Sequence, residues 1–231
     1  MAVLNPASVP LSLYIHMPWC VRKCPYCDFN SHAVPDGALS AELEQTYLKA
    51  LVADFETQVE MAQGRSIHSV FIGGGTPSLI SAKGYAWLFE QLKSLLNFED
   101  DCEITLEANP GTLEHDPFAG YLEAGINRLS IGVQTFNTDH LQKLGRIHSA
   151  NNAMDAIEQA RRAGFKRVNV DLMHGLPEQT LEQALYDLKT AVEQGATHIS
   201  WYQLTIEPNT VFFRTQPVLP QDEVLEDIQE Q

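Results

Sequence analysis

Apolar positions along the chain follow two alternating rhythms. Short runs rich in Val, Ile, Leu and Tyr, bounded by Gly, Pro, Asn or Asp, predict β-strands at Leu11–His16, Ser69–Gly73, Cys102–Glu107, Arg128–Gln134, Lys166–Asp171 and Thr197–Leu204. Between the strands, apolar residues recur every three or four positions. Leu39, Leu43, Tyr47, Ala50 and Leu51 make one helical stripe, and Leu181, Leu185, Leu188 and Val192 another. Thr180 and Gln183 have capping-box spacing, and the residues around Ser81, Thr112 and Ser149 are further helix starts. The acidic stretch Gln221–Gln231 reads as a last helix.

Strand–helix alternation through six units predicts parallel strands joined by helical crossovers. An open doubly wound sheet and a full or partial β/α barrel both fit. There is no duplicated sequence and no low-complexity linker, so residues 11–231 read as one core behind a tail of ten residues. The chain stops soon after the sixth strand, where a further element is expected. In either architecture chemistry gathers at the C-terminal strand ends. Those ends carry His16 and a cysteine loop, Gly73-Gly74-Gly75-Thr76-Pro77, Glu107 with Asn109, Gln134, Asp171 with Met173 and His174, and Gln203 with Thr205. A loop start accounts for one or two polar residues, but less well for a triple glycine, two carboxylates and three cysteines on one rim.

Composition narrows the classes. With 44% hydrophobic residues, the 231-residue chain can bury a large core, which excludes disorder. A net charge of −15 repels phosphate backbones, so no nucleic-acid partner is expected, and radical modification of RNA is the weakest reading. The densest basic cluster, Arg161, Arg162, Lys166 and Arg167, reads as the solvated end of a helix. The first ten residues lack the features of a secretory signal, and no run approaches 18 apolar residues, so a cytoplasmic protein without a transmembrane segment is expected.

Cys20, Cys24 and Cys27 form CxxxCxxC, too crowded for an ordinary disulfide framework. Three thiolates suit an iron–sulfur cluster with one iron open to a small ligand. Structural zinc is the alternative, with His16 or His32 as fourth ligand. Cys102 opens the third predicted strand, roughly 16 Å from the rim, and reads as a core cysteine. The signatures GxGxxG, GK[ST], HExxH and GxSxG are all absent. His16, His148 and His174 lie near the rim; each is a candidate heme ligand, though a lone histidine is more often a hydrogen-bonding partner. Trp19, Trp87 and Trp201 read as packing residues.

The stretch Leu13-Tyr14-Ile15-His16-Met17-Pro18-Trp19-Cys20, with Cys24-Pro25-Tyr26-Cys27, resembles the cluster loop of the radical S-adenosylmethionine (SAM) superfamily. Within it the chain is similar to the oxygen-independent coproporphyrinogen III oxidase group, and to the heme-chaperone branch of that group. Supporting segments in family order cover nearly the whole chain: Gly73–Ser78, Leu106–Gly111, Gly132–Phe136, Leu144–His148, Asp171–Pro177 and Tyr202–Asn209.

The resemblance implies a partial β/α barrel holding a 4Fe–4S cluster on Cys20, Cys24 and Cys27, with SAM on the open iron. It implies that Tyr14, Tyr26, Gly74 and Glu107 touch this SAM. Gly75, Thr76, Gln134, Arg146 and Asp171 match contacts to a second SAM found in the oxidase. Without the resemblance, Gln134 reads equally well as a strand-end cap, Arg146 as half of a surface ion pair and Asp171 as a helix N-terminal acid. The oxidase has another cysteine two positions after the third cluster cysteine, where this chain has Phe29. That departure favours heme binding and delivery to hemoproteins over oxidative decarboxylation of coproporphyrinogen III to protoporphyrinogen IX. The implied partners are heme or a porphyrinogen, acceptor hemoproteins for a chaperone and an electron donor for an enzyme. Family members also continue into a C-terminal domain that this chain is expected to lack.

Overall fold

The computed structural model describes residues 5, 8–34, 38–110 and 116–231. Six strands form one sheet: β1 (Leu11–Met17), β2 (Ile67–Gly74), β3 (Phe98–Ala108), β4 (Arg128–Gln134), β5 (Arg167–His174) and β6 (His198–Gln203). Every neighbouring pair is parallel, and the strands lie side by side in chain order. A doubly wound sheet reverses its strand order at a switch point. This sheet has no reversal, so the two architectures left open by the strand pattern resolve in favour of the partial barrel that the resemblance implies.

Strand alternation sorts side chains onto two faces. Outward, Leu106, Leu129, Ile131, Val168, Val170 and Leu172 are fully buried under the helices, each contributing roughly 1.5–3 kcal/mol of burial. Their partners include Leu88 and Phe89 of α2 (Ala82–Leu95) and Ile157 of α5 (Ala150–Ala163). Inward, the same strands present Glu103, Thr105, Glu107, Ser130, Gln134, Asn169 and Asp171, so the concave face is polar.

The helix starts follow their caps. Ser81 accepts from Gly84 N–H, and capping boxes at Ser149/Asn152 and Thr180/Gln183 open α5 and α6 (Leu181–Glu193). The Leu39–Leu51 stripe falls largely on α1 (Ala41–Gln58), which Ser40 caps, and the acidic end forms α8 (Asp222–Glu230). Thr112 and Gly111 lie outside the described residues. The short helices α3 (Phe118–Glu123), α4 (Thr138–Lys143) and α7 (Val211–Thr215) are too brief to leave a helical stripe in the sequence.

Two strand boundaries correct the sequence reading. β3 begins at Phe98, so Cys102 stands inside the strand; Glu99-Asp100-Asp101 hides the start because it has no alternation. Cys102 is buried in the core, as expected. β5 runs on to His174, so Asp171 lies within a strand rather than at its end. The three tryptophans pack against the core, Trp19 edge-on to Tyr47 at 4.5 Å. Among the described residues, no helix is long and apolar enough to cross a membrane.

Candidate functional site

The C-terminal strand ends surround a cavity of about 440 Å³, a size typical of small-molecule sites. Eleven of the twelve residues singled out as metal or cofactor ligands line it: Cys20, Cys24, Cys27, Tyr26, Gly74, Gly75, Thr76, Glu107, Gln134, Arg146 and Asp171. Tyr14 does not. It stands 57% exposed on β1, with its hydroxyl 2.9 Å from His16 Nδ1.

The cysteine loop is closed by a two-residue parallel ladder pairing Trp19–Cys20 with His32–Ala33. Cys27 N–H donates to Cys24 O, and Lys23 Nζ donates to Phe29 O at 2.8 Å. α7 braces the loop from the far side: Phe212 N–H donates to Pro25 O, and its ring lies 6.2 Å from that of Tyr26. All four cysteines are free thiols. Burial pushes the Cys27 thiol up, and the neighbouring Cys24 and Cys20 push it further. Bound iron would relieve that mutual repulsion.

The donor set suits a cluster better than a single ion. Among the described residues, no three His, Cys, Asp or Glu side chains converge on one metal position. A polynuclear cluster takes its thiolates on separate irons. The zinc alternative loses its fourth ligand: His16 has one ring nitrogen on Tyr14 and the other on Asn30 O at 2.8 Å, and His32 is exposed outside the cavity.

The glycine turn is stitched to the exit of β1. Gly75 N–H donates to Met17 O and Thr76 N–H to Trp19 O, each at 2.6 Å, and Gly74 N–H donates to Glu107 Oε2 at 3.1 Å. With these N–H groups committed, the turn offers a ligand carbonyl oxygen, an acceptor for an ammonium group. Gly74 has φ +115°, and a side chain at Gly75 would meet Trp19 O at 2.4 Å, so both positions require glycine.

Two half-buried carboxylates, Glu107 and Asp171, face the cavity. Burial raises Glu107 to about 7; the Gly74 N–H bond works against this and the charge of Asp171 adds to it. Asp171 is raised by burial although it accepts from Ser130 Oγ and Asn169 Nδ2. This pair favours a cationic ligand. Gln134 adopts φ +70°, which turns its amide inward, where Oε1 accepts from Tyr202 O–H at 2.7 Å.

Arg146 is not half of a surface ion pair. Its guanidinium is buried, with Nη2 donating to Asn109 Oδ1 at 2.6 Å and Gly132 O at 2.7 Å, and Nη1 3.6 Å from Cys24 Sγ. Asp171 is not a helix N-terminal acid, since it sits inside β5. The three rim histidines do not line the cavity. His148 donates through Nε2 to Val133 O, and burial with nearby Arg146 lowers it to about 4, so it is neutral. His174 packs on Trp201 with ring centroids 4.5 Å apart. Sequence reasoning missed Ser130 and Tyr202 as site residues. Strand parity was the available signal for Ser130 and Tyr202, which share the inward set with Gln134 and Ser200.

A family model described as the radical SAM superfamily matches residues 14–191. Heme chaperone HemW of Haemophilus influenzae is 56% identical over 226 residues, covering 98% of this chain and 59% of that protein. Heme chaperone HemW of Escherichia coli is 53% identical over 223 residues, covering 96% of this chain and 58% of that protein. Among solved structures, coproporphyrinogen III oxidase (HemN) of Escherichia coli, described as a radical SAM enzyme, aligns with a TM-score of 0.83 at 29% identity, covering 98% of this chain and 52% of that one. The chain therefore spans under three-fifths of the length of the curated relatives it matches.

Proposed function

The chain belongs to the radical SAM superfamily, and on that footing we propose that it works as a heme chaperone, binding heme and delivering it to hemoproteins while carrying a 4Fe–4S cluster and SAM. The observation that carries this reading is identity above 50% to two proteins named heme chaperone HemW across nearly the whole chain. The reading places the protein in the cytoplasm, where clustered reduced thiols persist.

The residues present fit both cofactors. Cys20, Cys24 and Cys27 hold the cluster on one wall of the cavity. When bound, the cluster supplies one-electron reducing power and SAM a reducible sulfonium. Gly74 and its turn take the ammonium end of SAM, and Glu107 with Asp171 holds its positive charge. Tyr26, Gly75, Thr76, Gln134 and Arg146 complete the enclosure. Tyr14 acts through His16, which fixes the Asn30 carbonyl of the cluster loop.

Phe29 stands 56% exposed on the cavity wall, and its ring offers an apolar face to a flat macrocycle. It has no thiol to supply the oxidase's extra cysteine. The fold of coproporphyrinogen III oxidase favours a second reading, the oxidative decarboxylation itself. Anaerobic incubation of the reconstituted protein with coproporphyrinogen III, SAM and a low-potential reductant, followed by porphyrin chromatography, separates the two. The chaperone reading expects an absorbance change on heme titration and no protoporphyrinogen above a Cys24→Ala control. Turnover above that control contradicts it.

A further inference from the structure

We infer that Arg146 sets the reduction potential of the cluster by acting on the sulfur of Cys24. The inference rests on the cluster assignment above and adds a role apart from contact with SAM. A buried cation needs a counter-charge. Among the described residues Arg146 forms no ion pair with a carboxylate. Both bonds of Nη2 go to neutral oxygens, Asn109 Oδ1 and Gly132 O. The Tyr26 hydroxyl beside the guanidinium is neutral, whereas the remaining arm, Nη1, points at Cys24 Sγ from 3.6 Å, and burial keeps solvent from screening the contact.

The backbone is shaped to bring the guanidinium there. Gly145 precedes Arg146 with φ +66°, and a Cβ at that glycine would meet Pro25 Cδ at 2.7 Å. The chain bearing Arg146 thus lies against the residue that follows Cys24, at a distance only glycine allows. Asn109, which pins Nη2, is itself held by its Nδ2 donating to Thr76 Oγ1 at 3.0 Å. The guanidinium is therefore clamped from the glycine turn, from β4 and from the cluster loop.

Reduction adds one electron to the cluster from an external low-potential donor, which is oxidised by one electron; no bond forms or breaks. The reduced cluster carries one more negative charge than the oxidised one. A fixed positive charge and hydrogen bond at a ligating sulfur favour that state and raise the potential. Cys27 has the Phe29 backbone N–H and the exposed Lys23 near its sulfur, so neither of its partners is a buried cation like Arg146.

The test is a dithionite titration of the anaerobically reconstituted chain without SAM, followed by electron paramagnetic resonance, for wild type, Arg146→Met, Arg146→Lys and Gly145→Ala. Iron and sulfide content are measured alongside. Arg146→Met is expected to lower the ratio of reduced to oxidised cluster about tenfold at fixed applied potential, equivalent to a midpoint about 59 mV more negative for one electron. Arg146→Lys should fall between, since an ammonium keeps the charge and loses the fork. Gly145→Ala should shift the midpoint the same way by moving the charge off Cys24. A fully loaded Arg146→Met protein with the wild-type midpoint overturns the inference. If that variant takes up no iron, wild-type midpoints in both Arg146→Lys and Gly145→Ala overturn it instead. A wild-type chain that takes up no cluster overturns the cysteine assignment, a separate failure.

Discussion

Glu103 and Glu107 sit on the same strand and the same inward face, roughly 13 Å apart, yet their surroundings are opposite. Glu103, toward the N-terminal end of the barrel, is answered by cations: Arg167 Nη1 at 2.6 Å and Arg128 Nε at 3.9 Å. Arg128 also donates to Thr105 Oγ1. Glu107, at the C-terminal rim, has one backbone N–H and the like charge of Asp171 nearby, and burial raises it to about 7. One end of the lumen satisfies its charges internally; the other leaves negative charge and a cysteine triplet facing a cavity. The first arrangement serves the fold, and the second costs stability that a cationic ligand can return.

Substitutions at the two ends should therefore differ in kind. The largest effect is expected at the cysteines. Replacing Cys20, Cys24 or Cys27 with Ala should each remove most of the iron and colour after anaerobic reconstitution, while Cys102→Ser, in the core away from the cavity, should keep both. A Cys102 variant as iron-poor as the others would break the separation between core and rim.

Next comes the stability cost of Glu107. Between pH 4.5 and about 7 the folded chain keeps a proton that the unfolded chain releases, so this group makes stability fall as pH rises through that window. By pH 8 the cost is at most about 3 kcal/mol. Glu107→Gln should raise the thermal midpoint by several degrees at pH 8 and leave it little changed near pH 4. The same titration predicts that SAM affinity in the wild type rises as pH passes through about 7, and that this dependence disappears in Glu107→Gln. A variant that melts lower at pH 8, or keeps the pH dependence, would contradict the assignment of the charge to this carboxylate. The smallest effect is expected at the other end: Glu103→Gln should lose under about 1 kcal/mol, because Arg167 is half exposed and solvent screens the pair.

The strand sequence, the caps at Ser81, Ser149 and Thr180, and the convergence of the rim were legible because each leaves a local mark: a two-residue period, a hydroxyl before a stripe, a polar residue at a strand end. The choice between barrel and open sheet was legible only through the family resemblance and not from the strand pattern, since it depends on which strands become neighbours. Arg146 shows the limit from the other side. Its sequence neighbours suggest a surface residue, and only the close approach allowed by Gly145 reveals it buried against Cys24. Tyr14 differs in reverse: motif position suggests a direct ligand contact, and the structure sets its hydroxyl on His16, outside the cavity lining but near enough to Glu107 to feel its charge. His148 and His174 had the right chemistry near the right rim, but each is buried off the cavity.

The measurement that bears most directly on the contrast between the two ends is calorimetric titration of SAM into reconstituted wild type, Glu107→Gln and Glu103→Gln at pH 8, with iron content matched. Glu107→Gln should bind at least tenfold more weakly, about 1.4 kcal/mol, and Glu103→Gln should bind as wild type does. Equal affinity in all three proteins would contradict the assignment of the C-terminal rim as the SAM site.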